Sequence, residues 1–234
     1  MVIRKKMEKA EKNGQVVSKK RVADHGEVYT NPREVNAMLD LVKQETERID
    51  SRFLEPACGT GNFLTEILER KLRIVKKRYA RSQHDFERYV VLAVSSIYGI
   101  DILEDNVLAC QQRLLEIFDN GYRSALKKNA REECRRAVKY ILTRNILCGD
   151  ALTLKTVGDN PQPIVFSEWS LVRGSMFKRR DFTFRELISP DVKQDLFALS
   201  SDQGESVFIP EPIKEFPQIH FLKVADADQN NLQS

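Results

Sequence analysis

The chain has 234 residues, of which 31% are charged and 41% hydrophobic, and its formal net charge is +4. These values fit a globular protein with its own core, and so small a net charge does not by itself indicate a nucleic-acid partner. No apolar run approaches the ~20 residues that cross a bilayer, and the charged N-terminus lacks the apolar segment of a secretory signal. We therefore expect a cytoplasmic protein without membrane contact.

Two stretches are strongly basic, residues 1–21 and residues 70–81. A basic patch attracts phosphate groups by releasing counterions, so either stretch is a candidate contact with nucleic acid. A solvated helix face explains each stretch equally well. The first stretch belongs to an N-terminal segment, residues 1–24, that we predict to be a basic, helical arm.

The cysteines and histidines do not form a metal-binding pattern. The four cysteines are scattered without a CxxC pair, and the three histidines are isolated in the sequence. We expect reduced, mostly buried thiols and no metal site.

A first helix is predicted to begin at Asn31 and Pro32, because asparagine caps helices well and proline suits the first helical position. The helix is expected to run to about Glu45. Its predicted buried face consists of Val35, Met38, Leu39 and Val42.

Between residues 52 and 150, short apolar strands alternate with amphipathic helices. The predicted strands are RFLEP, SIYGID and NILCGDAL, and the predicted helices are NFLTEILERKLRIVKKRYA, LEDNVLACQQRLLEIF and KKNAREECRRAVKYILT. The second of these helices is expected to stop at DNG. FERYVVLAVSS fits either a strand or a buried helix, and a helix is favoured because a strand follows directly. This alternation predicts a parallel α/β sheet with right-handed crossovers.

After residue 150 the pattern is dominated by turns and prolines, with PIVFSEW as a candidate fourth strand. We predict an α/β domain over residues 25–160 and an irregular C-terminal extension over residues 161–234 that contacts a partner or DNA.

Within the extension, residues 166–187 combine aromatic and cationic side chains: Trp169, Phe177, Phe182 and Phe184 with Arg173, Lys178, Arg179 and Arg180. Such a mixture can stack on bases and contact phosphates. The alternative is a β-hairpin with a basic outer face that packs its aromatic rings on the core or on a partner. We favour the hairpin.

Three acids follow the three predicted strands: Glu55, Asp101 and Asp150. In open α/β sheets, ligands bind outside the carboxyl ends of the strands. Carboxylates there can accept hydrogen bonds from ribose hydroxyls or amino groups. One such acid alone is more often a helix cap, but three successive strands ending in an acid favour a binding site.

The loop after the first strand carries Gly59 and Gly61, the first two glycines of the dinucleotide fingerprint GxGxxG. The third glycine is replaced by Leu64, and Asp101 lies much further along than the ~20 residues expected for the ribose acid. The phosphate-binding P-loop pattern is also absent, because no Gly-Lys-Ser/Thr follows the loop. The glycines are therefore expected to let the backbone pass close under a ligand that need not carry phosphate.

The stretch FLEPACGTGNFL resembles the S-adenosylmethionine-binding first motif of adenine-N6 DNA methyltransferases of restriction–modification systems. The form is that of type I modification subunits and fused type II enzymes. HGEVYTNPREVNAMLDL is similar to the family's motif before that strand, YGIDILEDNV to its second motif and NILCGDAL to its third. The resemblance covers residues 25–152. It implies the family's Rossmann-like parallel sheet, here expected to be incomplete because residues 170–234 are too few to complete it.

The resemblance implies eleven cofactor-binding positions. Tyr29 and Thr30 would border the methionine part of S-adenosylmethionine. The amino acid end would lie against the first motif, which is represented by Glu55, Pro56, Gly59, Gly61, Asn62 and Phe63.

The nucleoside end involves the other two strands. Asp101 would accept from the ribose hydroxyls, Ile102 would lie against the adenine face, and Asp150 would accept from the adenine amino group. Core packing is nearly as good an explanation for Phe63 and Ile102.

The family's fourth motif, Asn/Asp-Pro-Pro-Tyr/Phe, would hold the flipped target base. It does not occur among the 234 residues. The nearest candidate, Asn160-Pro161-Gln162-Pro163, lacks the adjacent prolines and the aromatic ring, and we interpret it as a turn. No catalytic residue is therefore assigned.

Two functional hypotheses follow. In the first, the chain is the cofactor-binding part of an adenine-specific DNA methyltransferase, and a second methyltransferase or specificity subunit supplies the missing motif and contributes to DNA binding. In the second, the chain is a catalytically silent S-adenosylmethionine-binding subunit of such a system.

Overall fold

The computed structural model describes residues 30–188 and 210–228. The predicted arm at residues 1–24, the candidate site residue Tyr29 and the stretches 189–209 and 229–234 lie outside the described residues.

Three parallel strands form the centre of the molecule: β1 (Phe53–Glu55), β2 (Ile97–Asp101) and β3 (Ile146–Cys148), in the order β1-β2-β3. The register pairs Glu55 with Gly99 and Asp101 with Cys148, so the carboxyl ends of the strands meet at one edge. The fold is thus mixed α/β with a three-stranded parallel sheet, compatible with a Rossmann-like fold.

Two pairs of helices connect these strands. The pair α3 (Asn62–Tyr79) and α4 (Gln83–Ser95) joins β1 to β2, and the pair α5 (Glu104–Leu126) and α6 (Glu132–Asn145) joins β2 to β3; a 3₁₀ turn, Lys127–Asn129, lies between α5 and α6. Right-handed crossovers between strands in this order place all four helices on one face. The helical interpretation of FERYVVLAVSS is confirmed.

The prediction that α5 ends at DNG is wrong. The helix continues through Gly121 to Leu126. A Cβ atom added at Gly121 would lie 3.7 Å from Leu72 Cδ1 of α3, so the two helices pack closely here. This packing keeps the glycine helical in spite of its low intrinsic propensity.

The first predicted helix is shorter than expected. It divides into α1 (Pro32–Asp40) and α2 (Lys43–Thr46). Val35 and Leu39 are buried as predicted, but Met38 and Val42 are 55% and 46% exposed. The continuous stripe is lost because the chain turns at residues 41–42.

The favoured hairpin is confirmed: β4 (Val165–Arg173) and β5 (Met176–Thr183) form an antiparallel pair, so the C-terminal extension is not irregular over residues 165–183. The short helix α7 (Phe184–Ile188) follows, and the strands β6 (Lys214–Glu215) and β7 (Ile219–His220) pair with β5; a 3₁₀ helix spans Phe221–Asp226. PIVFSEW is thus a strand, but it does not extend the parallel sheet.

The hairpin covers the sheet face opposite the helices. The Tyr98 hydroxyl of β2 donates to the carbonyl of Ser167 at 3.1 Å, and the ring packs edge-on against Phe166. Within the described residues no strand pairs with the outer edge of β1. The described C-terminal residues therefore cover a face of the sheet and leave that edge open.

The aromatic side chains of segment 166–187 are buried: Trp169, Phe177, Phe182 and Phe184. Burial excludes them from stacking on bases. The expected basic outer face is wrong at Arg179, which is 3% exposed and pairs with Asp181 and Asp228. Lys178 and Arg180 are also paired, in each case with a carboxylate.

No helix within residues 30–188 and 210–228 is both long and apolar enough to span a membrane.

Candidate functional site

A cavity of about 640 Å³ lies at the carboxyl ends of the three parallel strands. Nine of the eleven predicted cofactor positions line it: Thr30, Glu55, Pro56, Gly59, Asn62, Phe63, Asp101, Ile102 and Asp150. Of the other two, Tyr29 lies outside the described residues and Gly61 lies behind the cavity wall.

Each of the three strand-end acids accepts a hydrogen bond from the backbone N–H two residues further along the chain. The oxygen–nitrogen distances are 3.4 Å for Glu55, 2.9 Å for Asp101 and 2.8 Å for Asp150. Each acid therefore stabilises the turn that follows its strand, but none of the three is the N-cap of a helix, because Gly61 and Leu103 hold those positions in α3 and α5. Because a carboxylate has about four acceptor positions, the same groups can still accept from a ligand in the cavity.

The surroundings of these acids shift two of their pKa values in opposite directions. Burial raises the pKa of Glu55, and the Ala57 N–H offsets only part of that rise. The pKa of Asp150 is lowered, first by the Leu152 N–H and then by the Thr153 hydroxyl. Of these two carboxylates, Glu55 is thus the one that would gain more from a cationic partner.

Asp101 connects three parts of the site. Its Oδ2 accepts from the Gly59 N–H at 2.8 Å, and its Oδ1 accepts from Asn106 Nδ2 at 3.1 Å. The side chain therefore fixes the glycine loop to the start of α5. The residue is only 9% exposed, so the charge is held in a largely enclosed position.

Gly61 is required for a reason that the sequence did not suggest. It is the N-cap of α3, with φ of +88°, and a Cβ atom there would lie 2.6 Å from Cys110 Sγ. Left-handed backbone and contact with α5 both exclude a side chain. By contrast, Gly59, with φ of +52°, lines the cavity, as expected for a residue under a ligand.

Arg113 holds the loop from the side of α5. Its Nη1 donates to the carbonyl of Thr60 at 2.7 Å and to Asn62 Oδ1 at 2.9 Å. Asn62 Nδ2 in turn donates to the carbonyl of Thr30 at 3.3 Å. A chain of polar contacts thus joins the helix after β2 to the segment before α1.

The N-terminus of α3 is directed at the same cavity through Asn62 and Phe63. The first N–H groups of a helix have no acceptor within the helix, and the helix dipole makes this end positive. The first turn of α3 contains no acid that would neutralise it. An anionic group such as a carboxylate can bind here.

The charge of the cavity is otherwise negative. Its lining contains three carboxylates, and no lysine, arginine or histidine is found among the described residues that line it. Glu104 and Asp105 are exposed at the start of the neighbouring α5. The arrangement suits a ligand that carries positive charge together with one carboxylate, hydroxyls and an amino group.

Sequence reasoning missed Asn106 and Arg113. Asn106 lies in the first turn of α5, five residues after Asp101, and a polar residue so close after a strand-end acid is a signal in the sequence, although its burial is visible only in the structure. Arg113 had no such signal, because its contacts join positions more than 50 residues apart in the sequence.

A search of known proteins finds a relative of part of the chain. A protein of Methanocaldococcus jannaschii named "putative type II restriction enzyme and methyltransferase" is 29% identical over 133 residues. The match covers 55% of this chain and 10% of the relative. The chain thus corresponds to a small part of that protein. No family model and no solved structure matches the chain.

Proposed function

We propose that this chain is the S-adenosylmethionine-binding part of an adenine-specific N6 DNA methyltransferase of a restriction–modification system. The similarity to a restriction–modification methyltransferase supports the reaction class. The observation that carries the cofactor assignment is the cavity at the ends of successive parallel strands, whose described lining contains three carboxylates and no cation.

The residues present fit the ionic groups of this cofactor. S-adenosylmethionine carries a positive sulfonium and a positive ammonium beside one carboxylate. The ammonium is assigned to Glu55, the cofactor carboxylate to the N-terminus of α3, the ribose hydroxyls to Asp101 and the adenine amino group to Asp150. When bound, the sulfonium supplies the methyl group, and the loop held by Asp101 and Arg113 keeps the site in place.

A second polypeptide is proposed to supply the Asn-Pro-Pro-Tyr motif and the DNA contacts near the transferred methyl group. The motif is absent from this sequence, and residues 160–163 are exposed and follow a bend, outside the cavity lining. The negative cavity would also repel the phosphate backbone of DNA. The cations that hold DNA beside the cavity would therefore have to come from the second polypeptide.

Calorimetric titration of the full chain with S-adenosylmethionine tests the cofactor assignment. Saturable binding is expected, and the absence of saturation at millimolar cofactor would overturn the assignment. Transfer of tritiated methyl groups to DNA by the purified chain tests the need for a second polypeptide. No transfer is expected, and robust incorporation would contradict that part of the proposal. Cofactor binding without transfer in the presence of the second polypeptide would favour the catalytically silent alternative.

A further inference from the structure

The basic stretch at residues 70–81 is only partly explained by the fold. Arg70 pairs with Asp40 and Glu66, and Lys71 is fully buried. The remaining cations of the stretch are exposed: Arg73, Lys76, Lys77, Arg78 and Arg81. None of these five forms an ion pair with any residue in the ranges 30–188 and 210–228.

A second group of exposed cations lies at the end of α5: Arg123, Lys127 and Lys128. The helices α3 and α5 run side by side from the cavity, because Gly61 contacts Cys110 at one end and Gly121 contacts Leu72 further along. Their last turns therefore lie on the same side of the molecule. Neither residues 70–81 nor residues 120–131 contain an aspartate or a glutamate.

A groove of about 340 Å³ separates the two helices near these ends. Arg73 and Lys76 border it on the α3 side together with the exposed carboxylate of Glu69, and Asn120 and Gly121 border it on the α5 side. Two cations and one carboxylate thus stand on one wall of the groove, and the amide of Asn120 stands on the other.

Helix stabilisation accounts for only part of this charge. Cations in the last turn of a helix interact favourably with its dipole, but the effect falls off within one turn. Arg73 lies more than one turn before the end of α3 at Tyr79, and Arg81 lies beyond that end. None of the eight cations forms an ion pair within the described part of the chain. Mutual repulsion among them costs free energy, so an anionic partner would stabilise this surface.

This surface is separate from the cofactor cavity. The 18 residues of α3 lead from the glycine loop to the basic end, which corresponds to about 27 Å at 1.5 Å per residue. The chain is therefore negative at the carboxyl ends of its strands and positive at the opposite end of its helices.

We propose that the basic ends of α3 and α5 bind the phosphate backbone of DNA without regard to sequence, outside the site of methyl transfer. The identity of the polyanion as DNA rests on the proposed function, whereas the affinity for phosphates rests on the eight exposed cations themselves. Contacts of this kind position a protein on a duplex and carry no base specificity.

The test is fluorescence anisotropy with a labelled duplex of arbitrary sequence, titrated with the full chain at several salt concentrations and without cofactor. The test variant is Arg73→Gln/Lys76→Gln/Lys77→Gln. The matched control, Lys139→Gln/Lys155→Gln/Arg173→Gln, removes the same charge from exposed positions outside the surface.

The test variant is expected to bind DNA on the order of tenfold more weakly, with a salt slope lower by up to about 2.7, since each lost phosphate contact is worth about 0.9. The control should retain most of the affinity. Equal losses in both variants, or tight binding to anionic lipid vesicles with none to DNA, would overturn the proposal.

Cofactor titration of the same variants separates the two proposals. The test variant should bind S-adenosylmethionine as the wild type does, because its changes lie far from the cavity. The wild type could bind no cofactor while the test variant still binds DNA more weakly than the control variant. In that case the proposed function fails and the inferred DNA surface stands.

Discussion

The Gly59 N–H donates a 2.8 Å hydrogen bond to Asp101 Oδ2, which ties the loop after β1 to the end of β2. The two residues are 42 positions apart in the sequence and belong to two different motifs. One carboxylate therefore has two tasks: it organises the loop, and in the proposed function it accepts from the cofactor ribose.

Replacing Asp101 should test both tasks. Asp101→Ala is expected to weaken S-adenosylmethionine binding by on the order of 1.5–3 kcal/mol, the scale of a charged hydrogen bond. Thermal unfolding should also shift downward, because the Gly59 and Asn106 donors lose their acceptor. Calorimetry and a melting curve measure the two effects. Unchanged affinity would rule out the ribose role.

Glu55→Gln should separate binding from stability. Burial raises the Glu55 pKa, so the folded chain holds this proton more tightly than the unfolded chain. The ionised group therefore costs stability at neutral pH, and the cost disappears as the pH falls below the unfolded value. We expect Glu55→Gln to unfold at higher urea concentration than wild type at pH 7, yet to bind the cofactor on the order of tenfold more weakly.

The same shift predicts the pH dependence of cofactor binding. A neutral Glu55 loses its attraction for the ammonium, so affinity should fall as the pH drops towards the raised pKa, earlier than for an ordinary glutamate. Calorimetry between pH 4.5 and pH 8 follows this. The affinity of Glu55→Gln, measured over the same range, should not fall in this way. Identical pH profiles for wild type and variant would refute the assignment of Glu55 to the cofactor ammonium.

Gly61→Ala is expected to destabilise the fold by about 1–3 kcal/mol, since it combines left-handed strain with overpacking. The added methyl group would lie 2.6 Å from Cys110 Sγ. Adding Cys110→Ala should restore the part of the lost stability that comes from the overlap with Sγ. The part that comes from the left-handed backbone should remain. Gly158→Ala is a control with positive φ and open space around it. Equal melting temperatures for Gly61→Ala and Gly158→Ala would show that the contact with Cys110 carries no cost.

Arg113→Ala should weaken cofactor binding by about tenfold, because Thr60 and Asn62 lose a common donor and the loop is no longer preorganised. Arg113→Lys should restore little, since one ammonium does not reproduce the guanidinium geometry. Arg123→Ala, an exposed position on the same helix, is the matched control. A loss of the same size in Arg123→Ala would exclude a specific positioning role.

Lys71 predicts a pH dependence of stability. It is fully buried, its ammonium donates to the carbonyls of Ile49 and Ser51, and burial lowers its pKa to about 7. Between that value and the unfolded value of about 10.5 the unfolded chain binds more protons, so stability should rise with pH across this window. Urea unfolding at pH 7, 8 and 9 measures the rise. Lys71→Met should lack it, although it will be less stable at every pH.

The α/β alternation and the loop after β1 could be read from the sequence because they are local. Hydrophobic periodicity is a property of neighbouring residues, so α3, α4 and the three parallel strands were placed correctly. The acids at the strand ends followed from the same pattern, since parallel strands bring their carboxyl ends to one edge. Nine of the eleven positions that the family resemblance implied lie around one cavity.

What the sequence alone did not decide depends on contacts between distant segments. The continuation of α5 through Gly121 follows from packing against Leu72, and the anchoring of the glycine loop by Arg113 follows from a side chain 53 positions away. The burial of Arg179 requires Asp228, which comes from the far end of the described chain. The sequence thus determined the order of the central helices and strands and most of the candidate site, but not the full extent of α5 or the roles of Asn106 and Arg113. Only the tertiary structure decided which charges are neutralised and which remain free, because a cation finds its partner through space and not along the chain.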